Sequence, residues 1–170
     1  MSSRVLLLGL MGAGKTVVGQ TLAALTGWTY HDNDALLQQA VGMTAPDLLD
    51  QGGEPALRKA ESDALSWVLS AEPPLVAGVA AGVVLDPTDR ARLAEARHVV
   101  WLRAPIPVLA QRVGSGEGRS WLADDPEAAL RRLAEVREPF FAEVADQIVD
   151  VDGPTPAQIA ETILAALRGR

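Results

Sequence analysis

The octapeptide GLMGAGKT, Gly9 to Thr16, follows an apolar run that begins at Arg4 and opens a helix-forming stretch, Lys15 to Thr26. It satisfies G-x-x-x-x-G-K-[ST] in the strand–turn–helix setting that gives the pattern its meaning. Glycines at 9, 12 and 14 let the backbone wrap closely, so that its N–H groups point inward at phosphate. The helix start adds about half a positive charge at the same place. The backbone from Gly12 through Ala13, Gly14, Lys15, Thr16 and Val17 is therefore expected to hold a nucleotide. The Lys15 ammonium would reach the terminal phosphates, and the Thr16 hydroxyl would hold Mg²⁺. The motif alone does not choose among motors, GTPases and kinases. The chain carries no N-K-x-D segment, which disfavours a guanine reader, and 170 residues leave little room for a motor's coupling domain. A small-molecule phosphotransferase using ATP and Mg²⁺ remains.

The rest of the chain reads as alternating strand and helix. Strands are expected at Arg4–Gly9, Trp28–His31, Leu75–Val79, His98–Leu102 and Gln147–Val151, with helix-length segments between them. Gly27 suits a helix C-terminus, and Thr44 suits an N-cap with Pro46 in the first turn. Further helices are expected over Pro55–Ser70, Asp86–Arg97, Pro105–Val113, Pro126–Val144 and Pro156–Leu167. Strands separated by helices pair in parallel through right-handed crossovers. The expected fold is a single α/β domain over residues 1–170, three layers deep, with a five-stranded parallel sheet and ligands at the strands' carboxyl ends.

Charge and composition narrow the partners. The formal net charge is −7, so no broad basic field exists to attract nucleic acid or an anionic membrane. An anionic small molecule must be met locally, by Lys15, Lys59 or the arginines. The absence of cysteine removes disulfides, zinc–thiolate sites and thiol catalysis, and fits a reducing compartment. The apolar run Val5–Met11 is too short and too closely followed by GAGKT to read as a secretion signal, and no apolar run reaches membrane-spanning length. The expectation is a monomeric cytoplasmic protein acting on a small molecule.

Three other segments carry polar side chains suited to chemistry. HDND, His31 to Asp34, leaves the second strand. Asp32 could hold Mg²⁺ through water and Asp34 could accept or orient the proton of a hydroxyl; equally, the segment could be an Asx turn. GGEPALRKAE places Arg58 and Glu61 at i, i+3 on a helix, which taken alone is a surface ion pair of small effect. Arg119 in EGRSWL and Arg137 in REPFF each read alone as solvated. Trp28, Trp67 and Trp101 read as core or sheet-face residues, and His31 lacks a second ligand to make a metal site.

Taken together, in order and spacing, these segments resemble the shikimate kinase family. The resemblance runs nearly end to end: GLMGAGKT, DND with Asp34, Arg58 and Glu61, a small-residue turn after the third strand, Arg119, REPFF with Arg137, and ADQIVDV. It implies a P-loop kinase of the nucleoside-monophosphate-kinase type that phosphorylates the 3-hydroxyl of shikimate, a step of aromatic amino acid biosynthesis. An acceptor-binding unit near residues 32–60 and a mobile lid at 114–125 would accompany it. Position by position, Lys15, Asp34 and Arg119 would be catalytic. Asp34, Arg58, Ala81, Gly82 and Arg137 would bind the acceptor, the two arginines taking its carboxylate. Arg112 would pack on adenine, Pro156 would lie near the segment closing over the base, and Thr16 with Asp32 would serve the metal. A kinase of another polyol or cyclitol, or a non-catalytic nucleotide binder, are the alternatives.

The sequence departs from this family at one turn. Three consecutive glycines are usual where this chain has Ala80-Ala81-Gly82, and Ser or Thr where it has Gly78. Alanine at a positive φ would be disfavoured by about 1–2 kcal/mol, and a methyl pressed into a tight pocket would add ~1–3 kcal/mol. Ser120-Trp121 replaces the family's usual Pro-Leu in the lid, and Phe141 its usual Tyr.

Overall fold

Parallel pairing puts the most apolar segment at the centre. The computed structural model describes residues 3–114 and 124–169. Strand β1, Arg4–Leu8, runs between β3, Leu75–Gly78, and β4, Val99–Arg103. The sheet is completed by β2, Thr29–His31, and β5, Gln147–Asp150, in the order β2-β3-β1-β4-β5, with every pairing parallel. Val5 to Leu8 are fully buried, as a strand covered on both faces requires. The chain steps from β1 out to β2 and back to β3, then crosses to β4 and β5. The reversal falls between β1 and β3, and a crevice opens there at the carboxyl ends.

Helices α1, Lys15–Thr26, and α7, Pro156–Arg168, pack on each other. Helix α6, Pro126–Val144, packs on α4, Pro87–Glu95, and α5, Ile106–Val113. Trp101 of β4 meets Phe141 of α6 edge-on at 5.6 Å, and Phe141 is fully buried. Helix α1 begins and ends where the sequence suggests. Gly14 at its start and Gly27 at its end both take left-handed backbone angles that a side chain would strain.

Helix α3, Ala45–Ser70, has two segments joined at Gly53, whose φ of 72° and ψ of −174° break the helical path. Thr44 caps the first segment with a reciprocal bond to Asp47, and Pro55 stands in the first turn of the second. A second hydrophobic cluster of Leu37, Leu48, Leu57, Ala60 and Ala64 joins α3 to α2, Asn33–Val41. Helix α2 itself is not apparent in the sequence. The Asp32 side chain accepts from the N–H groups of Asp34 and Ala35, so the acid of an expected Asx turn is instead the N-cap of a helix. Trp67 also departs from expectation: 46% exposed on α3, it meets His31 edge-on at 4.8 Å and is not a core residue.

After β3 the chain forms a short 3₁₀ turn, Ala81–Leu85. Ala80 has φ −60° and ψ 131°, and the one described non-glycine residue with a positive φ is His98. The strain expected of Ala80 and Ala81 therefore does not arise.

Candidate active site

A cavity of about 1060 Å³ opens at the carboxyl ends of β1 and β3. On one side Gly14, Lys15, Thr16 and Val17 line it; on the other, Asp34, Arg58, Glu61 and Arg137. The turn from Gly78 to Gly82 forms its floor, and Thr44 to Pro46 with Leu49 and Asp50 form an outer wall. Gly12, Ala13, Arg112 and Pro156 stand outside this lining. The Ala13 N–H donates to the Leu10 carbonyl at 3.2 Å. Arg112 clasps the loop from behind, donating to the carbonyls of Gly12 at 3.3 Å and Val151 at 2.8 Å. Pro156 opens α7. Arg119 and Trp121, with most of the expected lid, lie outside the described residues.

The phosphate side is built mainly from backbone. Gly14, lacking a side chain, caps α1 and leaves the first turn's N–H groups facing the cavity. A Cβ on Gly12 would stand 2.8 Å from the Leu109 carbonyl oxygen, so the loop lies tight against α5. Lys15 Nζ folds back on this loop, donating to the carbonyls of Gly9 at 2.5 Å and Leu10 at 3.4 Å. The Thr16 hydroxyl donates to Asp32 Oδ2 at 3.0 Å. These two oxygen groups are hard donors suited to Mg²⁺, which ordinarily takes one or two protein oxygens and completes its shell with phosphate and water. Among the described residues no cluster of three or more His, Asp or Glu side chains could hold a metal by itself. A metal bridging nucleotide and protein fits the residues present; a caged one does not.

The acceptor side is built from side chains. Arg58 Nη1 donates to Glu61 Oε2 at 2.5 Å, and Nη2 lies 3.4 Å from Glu54. The pair is not the solvated one its spacing suggests, since Glu61 is only 7% exposed. Burial pushes the Glu61 carboxyl above its ordinary range, against the pull of Arg58. Burial also lowers Arg137, with the like charge of Arg58 adding to it and Glu61 opposing. Arg58 is thus paired with a buried carboxylate at the cavity wall, and the charge of Arg137 acts on the same carboxylate without an ion pair to it.

Gly82 is what lets Arg58 reach that wall. A Cβ there would fall within the guanidinium group, 2.5 Å from Cζ, and 2.9 Å from Glu61 Oε2. Ala80 is almost wholly buried in the main core, while Ala81 packs against it half-exposed. Sequence reasoning also passed over Tyr30 and Met11; Met11 lines the cavity. Nothing in residue type or spacing singles either out, because the surroundings of each are set by the fold.

The comparisons with known proteins agree with this geometry. The family model described as shikimate kinase matches residues 11–168. The shikimate kinase of Halorhodospira halophila is 36% identical over 169 residues, covering 99% of this chain and 95% of that protein. Among solved structures, shikimate kinase from Acinetobacter baumannii in complex with shikimate superposes with a TM-score of 0.92 at 29% identity, over 99% of this chain and 94% of that one. A gluconokinase from Sinorhizobium meliloti reaches a TM-score of 0.64 at 25% identity, over 98% of this chain and 93% of that one. A family model matched over nearly the whole chain and a relative 36% identical along its length leave one conclusion: the chain belongs to the shikimate kinase family.

Proposed function

We propose that this chain transfers the γ-phosphoryl group of ATP to the 3-hydroxyl of shikimate. The supporting observation is the convergence of Lys15, Asp34, Arg58 and Arg137 on one cavity at the carboxyl ends of the strands. The hydroxyl oxygen attacks the γ-phosphorus, the bond from that phosphorus to the β–γ bridging oxygen breaks, and ADP leaves. Asp34 orients the hydroxyl and takes its proton. Lys15 moves from the loop carbonyls to the terminal phosphates, where charge builds on oxygen as the bond breaks. Arg58 and Arg137 hold the acceptor's carboxylate, for which planar, permanently charged donors are suited. Thr16 and Asp32 would hold Mg²⁺, which when bound supplies charge neutralisation on the β- and γ-phosphates.

Within the single domain, residues 32–60 act as the acceptor-binding unit, supported by the hydrophobic cluster between α2 and α3. Gly12 and Ala13 contribute loop backbone to the phosphates, and Arg112 and Pro156 flank the base. Ala81 and Gly82 offer the acceptor their backbone. Arg119, in the segment 114–125, meets the transferring group as the lid closes and excludes water. No described helix is long and apolar enough to cross a membrane. The reading places the enzyme in the cytoplasm, as a monomer.

An ATP-consumption assay over shikimate, quinate, gluconate and related polyols tests the proposal. Turnover greatest with shikimate is the expected outcome. Turnover confined to a different polyol would move the assignment within the fold. Tight nucleotide binding with no turnover on any acceptor would make the chain a binder.

A further inference from the structure

Tyr30 sits on β2, outside every motif, yet two glycines make room for it. A Cβ at Gly19 of α1 would stand 2.7 Å from Tyr30 Cδ2 and 2.9 Å from Cζ, so the ring lies directly against bare helix backbone. A Cβ at Gly78, the last residue of β3, would stand 3.1 Å from the Tyr30 hydroxyl and 3.9 Å from Lys15 Cβ. The ring is threaded through this slot, and its hydroxyl donates to Asp32 Oδ2 at 3.2 Å. Thr16 donates to the same oxygen at 3.0 Å, while Asp32 Oδ1 takes the two N–H groups of α2.

We infer that Tyr30 is a positioning residue of the phosphoryl-transfer site, holding the Asp32 carboxylate toward the Thr16 hydroxyl from a slot opened by Gly19 and Gly78. Four donors fix the carboxylate: two backbone groups on Oδ1 and two hydroxyls on Oδ2. Without the Tyr30 hydroxyl, Oδ2 is left with Thr16 alone, and Thr16 is the group whose oxygen must face the metal. Gly78 accounts for its own small size in the same terms. Any side chain there would crowd the hydroxyl that Tyr30 brings from the neighbouring strand, since its Cβ would stand 3.1 Å away. The hydroxyl next to Asp32 is thus supplied by β2 rather than by β3. This inference rests on the kinase reading above, and the test separates the two.

The test uses Tyr30→Phe, which keeps the ring in its slot, and the double variant Tyr30→Phe with Gly78→Ser. ADP affinity is measured by calorimetry without metal and then across a Mg²⁺ titration. Shikimate turnover by the parent protein is measured alongside, and its loss would sink the kinase reading alone. Tyr30→Phe should leave metal-free ADP affinity and the thermal midpoint nearly unchanged. It should raise the Mg²⁺ concentration for half-saturation about tenfold, the lower end of the effect of removing a hydrogen bond to a ligating carboxylate. Adding Gly78→Ser should bring that concentration most of the way back, because the missing hydroxyl leaves space for the new side chain. A Tyr30→Phe protein with the parent's Mg²⁺ dependence, whatever its stability, overturns the inference. A double variant no better than Tyr30→Phe overturns the part given to Gly78.

Discussion

Gly9 to Thr16 and the wall of Arg58, Glu61, Gly82 and Arg137 face each other across one cavity, but they are made in opposite ways. The phosphate side is a run of consecutive residues whose working parts are mostly N–H groups and a helix end. Its geometry follows from local backbone angles, and Lys15 is its one charged side chain. The acceptor side draws on α3, α6 and the 3₁₀ turn, residues far apart in the chain. Its working parts are charges, held in place by a buried carboxylate and by the missing side chain of Gly82. A cradle of backbone tolerates changes that leave its path intact. A wall of charged side chains depends on every neighbour that spaces them.

Substitutions on each side should separate these dependences. Asp34→Asn should break the chemistry most completely, lowering turnover by about 10²–10⁴-fold, the range of general acid–base contributions. ADP affinity by calorimetry should stay near the parent value, because Asp34 faces the acceptor. Lys15→Ala should lower turnover by about 10²–10³-fold, as loss of one donor to developing charge does. Shikimate affinity in the absence of nucleotide should be spared, and a large loss of it would mean the two sides are not separable. Gly82→Ala should displace Arg58 and raise the shikimate KM at least ~10-fold while the ATP KM stays level. Steady-state kinetics would show the split, and unfolding in urea should show a loss of ~1–3 kcal/mol from overpacking.

Glu61→Gln probes the charge balance through pH. The Glu61 carboxyl titrates above its unfolded-state value of 4.5, so it favours the folded state fully below that value. That contribution is lost as pH rises through the folded pKa. A glutamine has nothing to lose over the same range, so the stability difference between variant and parent should shift in the variant's favour as pH rises above 4.5. Urea midpoints across that window measure it, and a shift in the other direction would reverse the assigned cause. The smallest effect belongs to Ala80→Gly with Ala81→Gly. No positive φ is relieved, so shikimate affinity should change by less than about threefold, with a stability loss of ~0.5–1 kcal/mol per glycine from added chain entropy. Tighter binding beyond that would show that the methyl groups crowd the acceptor after all.

The same contrast explains what could be read from the chain. The phosphate loop, the ends of α1 and the Thr44 cap each rest on residues near one another in the chain, where residue type decides backbone angle. Helix α2 was hidden because an aspartate that closes an Asx turn and one that caps a helix make the same first hydrogen bond. Glu61 looked like a surface residue because i, i+3 spacing says which helix face a pair shares and not what covers that face. Trp67 differs for the converse reason: a large apolar residue on a long helix can lie at the edge of the fold, here half-exposed and edge-on to His31. The strain assigned to Ala80 and Ala81 came from supposing that small residues mark a left-handed turn. In the 3₁₀ turn they mark close packing instead, and the position where an added atom meets Arg58 is Gly82.

The break at Gly53 has its own consequence for the cavity. The first segment of α3 supplies the outer wall, from Ala45 to Asp50, and carries Leu48 in the smaller cluster. The second carries Arg58 and Glu61 and is rooted in the main core through Leu65 and Val68. The bend at Gly53 lets the first segment take its own direction at the cavity wall, while the charged groups lie on the segment rooted in the main core. Breadth of entry and sign of charge are therefore separately adjustable in this scaffold, and bulk added at Pro46 or Leu49 changes what can enter without changing what holds it.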